Sequence, residues 1–95
     1  METHEKEKMD FGTVLAELKK GAKVAREGWN GKDMFVFLVA GSEFEVNRAP
    51  LDQFYPVGTK VIYRPHMDIK AVDNSIGVWV PSQTDLLAED WIVVI

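Results

Sequence analysis

The spacing of apolar residues changes once along the chain, at Gly21, and that change limits the fold to a helix laid on a sheet. Before it, Phe11, Val14, Leu15 and Leu18 stand at i, i+3, i+4 and i+7, the stripe of an amphipathic helix. Asp10 is placed to accept backbone N–H bonds as the N-cap, with Met9 and Val14 positioned as a hydrophobic staple around it. Lys19 and Lys20 complement the negative end of the helix dipole, and Gly21 supplies the stop. The pattern predicts a helix from Asp10 to Lys20.

After Gly21 the apolar residues alternate or run together in short segments bounded by glycine and proline, as strands do. Ala22 to Arg26 reads as a short strand, Glu27 to Asp33 as a turn-rich loop, and Met34 to Ala40 as a buried strand. Gly41 to Thr59 reads as an ordered loop pinned by Phe44, Val46, Leu51, Phe54 and Tyr55. Lys60 to Tyr63 predicts a strand stopped at Pro65, and His66 to Val72 another that turns at Asp73-Asn74 into a hairpin partner, Ile76 to Val80. Ser82-Gln-Thr-Asp85 has capping-box form and opens a short helix, Gln83 to Ala88. Trp91 to Ile95 is a last strand, so uniformly apolar that it is expected in a sheet interior or an interface. The fold class is α+β: a small antiparallel sheet of four or five strands, an N-terminal helix and a short C-terminal helix, in a single domain spanning 9–95 behind a solvated tail, 1–8.

Composition narrows the function. A chain of 95 residues buries only roughly 60–65% of its unfolded surface, so its core is small and its three tryptophans weigh heavily in it. There is no cysteine, which removes disulfides, thiolate metal sites and thiol nucleophiles and fits a reducing cytoplasm. The charged start has no apolar leader, and the longest apolar run, Met34 to Ala40, is far short of the roughly 20 residues that span a bilayer. A net charge of −4 without a basic cluster argues against a nucleic-acid polymer as partner.

No catalytic set is visible. His66 and Asp68 share a strand face, but two ligands fall short of the three or four that zinc needs, so they read as a polar pair and no metal is expected. His4 lies in the tail. Glu43 and Glu45 share a face without a pocket, and no serine or threonine has a histidine partner. What remains is aromatic: Trp29 in a polar turn, and Trp79 just before Pro81 and the capping Ser82. A tryptophan face at a loop edge stacks purines, although either ring also serves a core, and the Ser82-to-Asp85 helix start either caps itself or meets phosphate.

The segments Ala25-Arg-Glu-Gly-Trp-Asn-Gly31, Met34-Phe-Val-Phe-Leu-Val39, Tyr63-Arg-Pro-His66 and Trp79-Val-Pro-Ser-Gln-Thr-Asp-Leu-Leu-Ala-Glu-Asp-Trp91 resemble, in order, the second Thoeris anti-defence family, a small phage and prophage domain earlier catalogued without a function. The resemblance implies a non-catalytic sponge. Its members hold intact the cyclic ADP-ribose-type signal (glycocyclic ADP-ribose) of bacterial Thoeris defence, in pockets between subunits of a homotetramer in the host cytoplasm, and some also take cyclic oligonucleotides. Carried onto this chain, the resemblance assigns Trp29 and Trp79 to base stacking and Phe35 and Phe37 to the pocket wall. It assigns Thr84 and Asp85 to ribose hydroxyls and Arg26 or Arg64 to the pyrophosphate. Needing no cofactor, this reading competes with two others: a signal-degrading enzyme using Asp85 or Glu89 as base, and a protein-interaction module blocking a host factor.

Overall fold

A computed structural model describes residues 7–29 and 33–95; His4 and the Asn30-Gly31-Lys32 part of the predicted turn lie outside them. Helix α1 (Phe11–Lys19) begins as its sequence dictates. The Asp10 carboxylate accepts the Thr13 N–H at 2.8 Å, and Gly21 ends the helix at φ 98°. The chain then forms β1 (Lys23–Arg26), a 3₁₀ turn (Glu27–Trp29) and β2 (Phe35–Val39). After these come β3 (Ser42–Glu45), a 3₁₀ turn (Leu51–Gln53), β4 (Lys60–Tyr63), β5 (His66–Lys70) and β6 (Ile76–Val78). Helix α2 (Gln83–Leu87) and β7 (Trp91–Val94) complete it. The β5–β6 turn is closed by Asp73, which accepts the Ser75 N–H at 3.0 Å while Asn74 takes φ 72°.

Five strands form one antiparallel sheet in the order β6-β5-β2-β1-β7, and β3 and β4 form a separate two-stranded ribbon. The α+β fold, single domain and two helices agree with the sequence reading. Gly41 to Thr59 departs from it in part: Ser42–Glu45 is one leg of a ribbon, and residues 46–59 form the connecting loop with a 3₁₀ turn. The pairings Val39↔His66 and Ser42↔Tyr63 keep one register, so β2-β3 and β4-β5 are two legs of a single long hairpin. Its outer half projects as an arm from a molecule measuring 57 × 31 × 27 Å. Of the anchors expected there, Val46 is buried, whereas Phe54 is 70% exposed. Periodicity missed the strand because Ser-Glu-Phe-Glu offers only one apolar residue.

Gly41 sits where the hairpin breaks between sheet and arm. A Cβ there would lie 2.7 Å from the Tyr63 carbonyl oxygen and 3.1 Å from the Pro65 ring. Pro65 removes an N–H from the facing leg, so the ladder stops at the same level on both strands.

Both helices lie on one face of the sheet. Val14 and Leu18 of α1 pack on Val24, Val36, Trp79 and Trp91, all buried. Trp91 is fully buried, which removes on the order of 200 Å² from water and contributes at most about 5 kcal/mol. Of the two places expected for the last strand, the sheet interior is corrected: among the described residues β7 is an edge of the sheet. Among the described residues Met9 covers its start, exchanging two backbone bonds with Trp91 at 2.8 and 3.1 Å, and Ile95 is fully exposed. An apolar strand is compatible with an edge because its inward residues are still covered by α1.

The Gly41 geometry gives a test. Gly41→Ala should lose about 1–3 kcal/mol in urea unfolding. Gly77→Ala, where a Cβ meets nothing within 4 Å, should stay within about 0.5 kcal/mol of the parent.

Candidate functional site

Trp29, Trp79 and Trp91 converge on the helix-covered face. The Trp91 ring lies 5.5 Å from Trp29 and 5.8 Å from Trp79, both edge to face, and Phe11 reaches Trp79 and Trp91 at 5.9 and 5.6 Å. Such pairs contribute about 0.5–1.5 kcal/mol each beyond their burial. Trp79 is 8% exposed and is a core residue; Trp29 is half-buried and packs against the core.

A polar clamp holds this corner. The Asp90 carboxylate accepts the Arg26 Nε–H at 2.9 Å through one oxygen and the Gly28 N–H at 3.0 Å through the other. Arg26 also donates to Asp85 Oδ1 at 3.1 Å, and the Asp90 carbonyl accepts the Glu27 N–H at 2.9 Å. The turn that carries Trp29 is thereby tied to the segment between α2 and β7. Gly28 leaves room for this contact, since a Cβ would lie 3.1 Å from Asp90 Oδ2 and press on it. Asp85 faces inward from α2 in a capping box, accepting the Ser82 N–H at 3.3 Å while Ser82 Oγ accepts the Asp85 N–H at 3.1 Å. Its carbonyl takes the Trp91 Nε1–H at 2.9 Å.

The clamp sets one cation between two anions and so keeps a net negative charge. Partial burial pushes the Asp90 carboxyl upward, but hydrogen bonds from Arg26 and Gly28 and the Arg26 charge outweigh it and hold the group below the ordinary carboxylate range. The Asp90 hydrogen bond leads the causes that raise Arg26 above its ordinary value.

The residues singled out by sequence therefore fall into three places. Trp29, Trp79, Arg26 and Asp85 meet at one corner, with Thr84 exposed beside them on α2. Phe35 and Phe37, 5.9 Å apart, lie on the opposite face of the sheet, where Lys23 Nζ sits 4.6 Å from the Phe35 ring. Arg64 is exposed at the base of the arm, at the far end of β5 from the clamp. His66 and Asp68 pair along one strand at 3.3 Å rather than across strands. Among the described residues no three His, Cys, Asp or Glu side chains are grouped to hold a metal, and no helix is long and apolar enough to cross a membrane. A cleft of about 520 Å³ lies in the arm, lined by Phe44, Arg48, Pro50 and Tyr63 among others; it contains none of the residues assigned to the ligand, but Glu45, read from sequence as lacking a pocket, lines it. Sequence reading missed Asp90 and the central position of Trp91; the Glu-Asp-Trp triplet before β7 was the available signal.

These features define a small α+β domain with an aromatic corner clamped by one arginine and two aspartates. The chain belongs to the Thoeris anti-defense 2 family, whose model, described as the Thoeris anti-defense 2-like domain, matches residues 9–94. It is 46% identical over 93 residues to Thoeris anti-defense 2 of Bacillus phage SP01, covering 94% of this chain and 98% of that protein. The family is one of phage proteins directed against Thoeris defence.

The clamp predicts a pH dependence. Because the folded-state value of Asp90 is depressed, its contribution is complete above about pH 4 and is lost as pH falls through that depressed value. Asp90→Asn should therefore be less stable than the parent near neutrality by about 1–3 kcal/mol. The gap should narrow in unfolding titrations carried down through the acid range.

Proposed function

We propose that the chain is a non-catalytic sponge that counters Thoeris defence by holding a cyclic ADP-ribose-type signal intact in the cytoplasm of the infected bacterium. The observation that carries this reading is Trp29: a half-buried tryptophan at the aromatic corner, on a short turn that Asp90 holds through the Glu27 and Gly28 N–H groups. A purine stacked on such a ring gains about 1–3 kcal/mol, and a pre-positioned ring loses little entropy on binding. Family membership supplies the Thoeris context.

In this reading Trp29 stacks the base and Thr84 meets a ribose hydroxyl. Trp79 and Arg26 act mainly by support, because Trp79 is packed and the Arg26 guanidinium already engages two carboxylates. Both Asp85 carboxylate oxygens are likewise engaged, by Arg26 and by the Ser82 N–H. Of the two arginines assigned to the pyrophosphate, Arg64 has no ion-pair partner among the described residues and is the one free to meet it. Phe35, Phe37 and Arg64 lie apart from Trp29 within one chain, and a homotetramer with pockets between subunits would unite residues from different copies.

Titration with glycocyclic ADP-ribose should saturate at a fixed stoichiometry, and heat denaturation should then release the same molecule. Turnover of excess ligand, or release of a cleaved product, would overturn the reading. Trp29→Ala should weaken retention at least about tenfold with the fold kept, whereas Trp79→Ala should cost about 3–5 kcal/mol of stability as a core truncation.

A further inference from the structure

The cleft in the arm is built apart from the aromatic corner and has its own chemistry. Its rim is held by backbone bonds across the outer end of the hairpin. The Val46 N–H donates to the Thr59 carbonyl and the Gly58 N–H to the Val46 carbonyl, both at 2.9 Å. The Asp52 N–H reaches the Arg48 carbonyl at 3.2 Å, and the Tyr55 N–H reaches the Leu51 carbonyl at 2.9 Å. A volume of about 520 Å³ falls within the range of pockets that take small molecules, which are largely formed before the ligand arrives.

One wall is aromatic. Register sets Ser42 opposite Tyr63 and Phe44 opposite Val61, so Phe44 and Tyr63 share a face of the ribbon. Their rings meet edge to face, 5.0 Å apart at 88°, and Tyr63 is half exposed. The remaining polar lining is able to donate and has nothing within the chain to donate to. Among the described residues Arg48 has no ion pair, and the Tyr63 hydroxyl, the Ser42 hydroxyl and the Asn47 amide have no hydrogen-bond partner. Glu45 lines the cleft too, but strand alternation sets its side chain on the other ribbon face, opposite Lys60. Arg48 therefore carries the charge of the cleft.

We propose that the arm cleft binds a small molecule made of one aromatic ring and one carboxylate. The ring lies against the Phe44–Tyr63 pair, and the planar guanidinium of Arg48 takes the carboxylate through two parallel N–H bonds. Tyr63, Ser42 and Asn47 supply the neutral groups that fix its orientation. A single cation balances a single negative charge. A phosphate ester carries nearly two, and residues 42–63 already set Glu43, Glu45 and Asp52 against only Arg48 and Lys60. No cleft residue belongs to the Trp29 corner, so this site stands or falls apart from the sponge.

Amide NMR of the labelled full chain, titrated with cinnamate, tests it. Shifts should appear at residues 42–51 and at Tyr63 and leave the Trp29 turn unmoved. Cinnamamide, the neutral isostere, should bind at least about tenfold more weakly. Arg48→Gln, at an exposed position, should weaken cinnamate by about the same factor and leave cinnamamide unaffected, whereas Tyr63→Leu should weaken both. Unshifted core amides verify that each variant is folded. No arm shifts at millimolar cinnamate, equal binding of cinnamamide, or an Arg48→Gln chain that binds as the parent does would overturn the proposal. So would tighter binding of adenosine monophosphate at the same amides, which would assign the cleft to phosphate esters. In protein saturated with glycocyclic ADP-ribose the cinnamate shifts should persist. Displacement of cinnamate there would make the cleft part of the sponge site and overturn this inference. Failure of glycocyclic ADP-ribose to bind, with cinnamate still held, refutes the sponge alone.

Discussion

The fully buried indole of Trp91 joins almost every part of this small core. Its ring touches Phe11 at the start of α1, Trp29 on the turn after β1 and Trp79 after β6. Its N–H is satisfied by the Asp85 carbonyl in α2, which removes the cost of burying an unpaired donor. Its backbone ties Met9 to the sheet edge. One residue therefore sets the distance between two helices, two edge strands and a turn. In a chain this short, few other contacts could take over that work.

The polar clamp depends on the same arrangement. Arg26 and Trp91 are opposite each other in the β1–β7 ladder, so the arginine emerges beside the indole and beneath the α2 segment that carries Asp85 and Asp90. The charges are partly shielded from water, and each finds a partner of opposite sign with hydrogen-bond geometry. That satisfies the condition under which a partly buried ion group helps a fold rather than harms it. The effect is specificity of position. The Trp29 turn and the Arg26 that precedes it are anchored by three hydrogen bonds, all accepted by Asp90.

Sequence reading recovered what depends on local rules. Asp10, Gly21 and the Ser82–Asp85 capping box each act through neighbours within four residues, so their roles were visible in order along the chain. The family segments were visible for the same reason. Long-range geometry was not. Nothing in the spacing of Trp29, Trp79 and Trp91 announces that their rings meet, and nothing local says that Asp90 reaches back 64 residues to Arg26. The resemblance groups Phe35 and Phe37 with the tryptophans as the wall of one pocket. Strand alternation, with Val36 buried between them, sends them to the other face. The arm escaped notice because a ribbon with mostly solvent-exposed legs needs little apolar pattern.

The single register that runs through sheet and arm has a consequence for how such a chain can vary. Because β2-β3 and β4-β5 are legs of one ladder, residues can be added or removed at the arm's outer end in matched pairs without turning any side chain of the sheet to the wrong face. A change of one residue on one leg beyond Gly41 would be absorbed as a bulge and stop at the break opposite Pro65. The arm is in this sense a length-adjustable extension, insulated from the core by a glycine and a proline, on which reach and surface chemistry can drift while the tryptophan corner stays fixed.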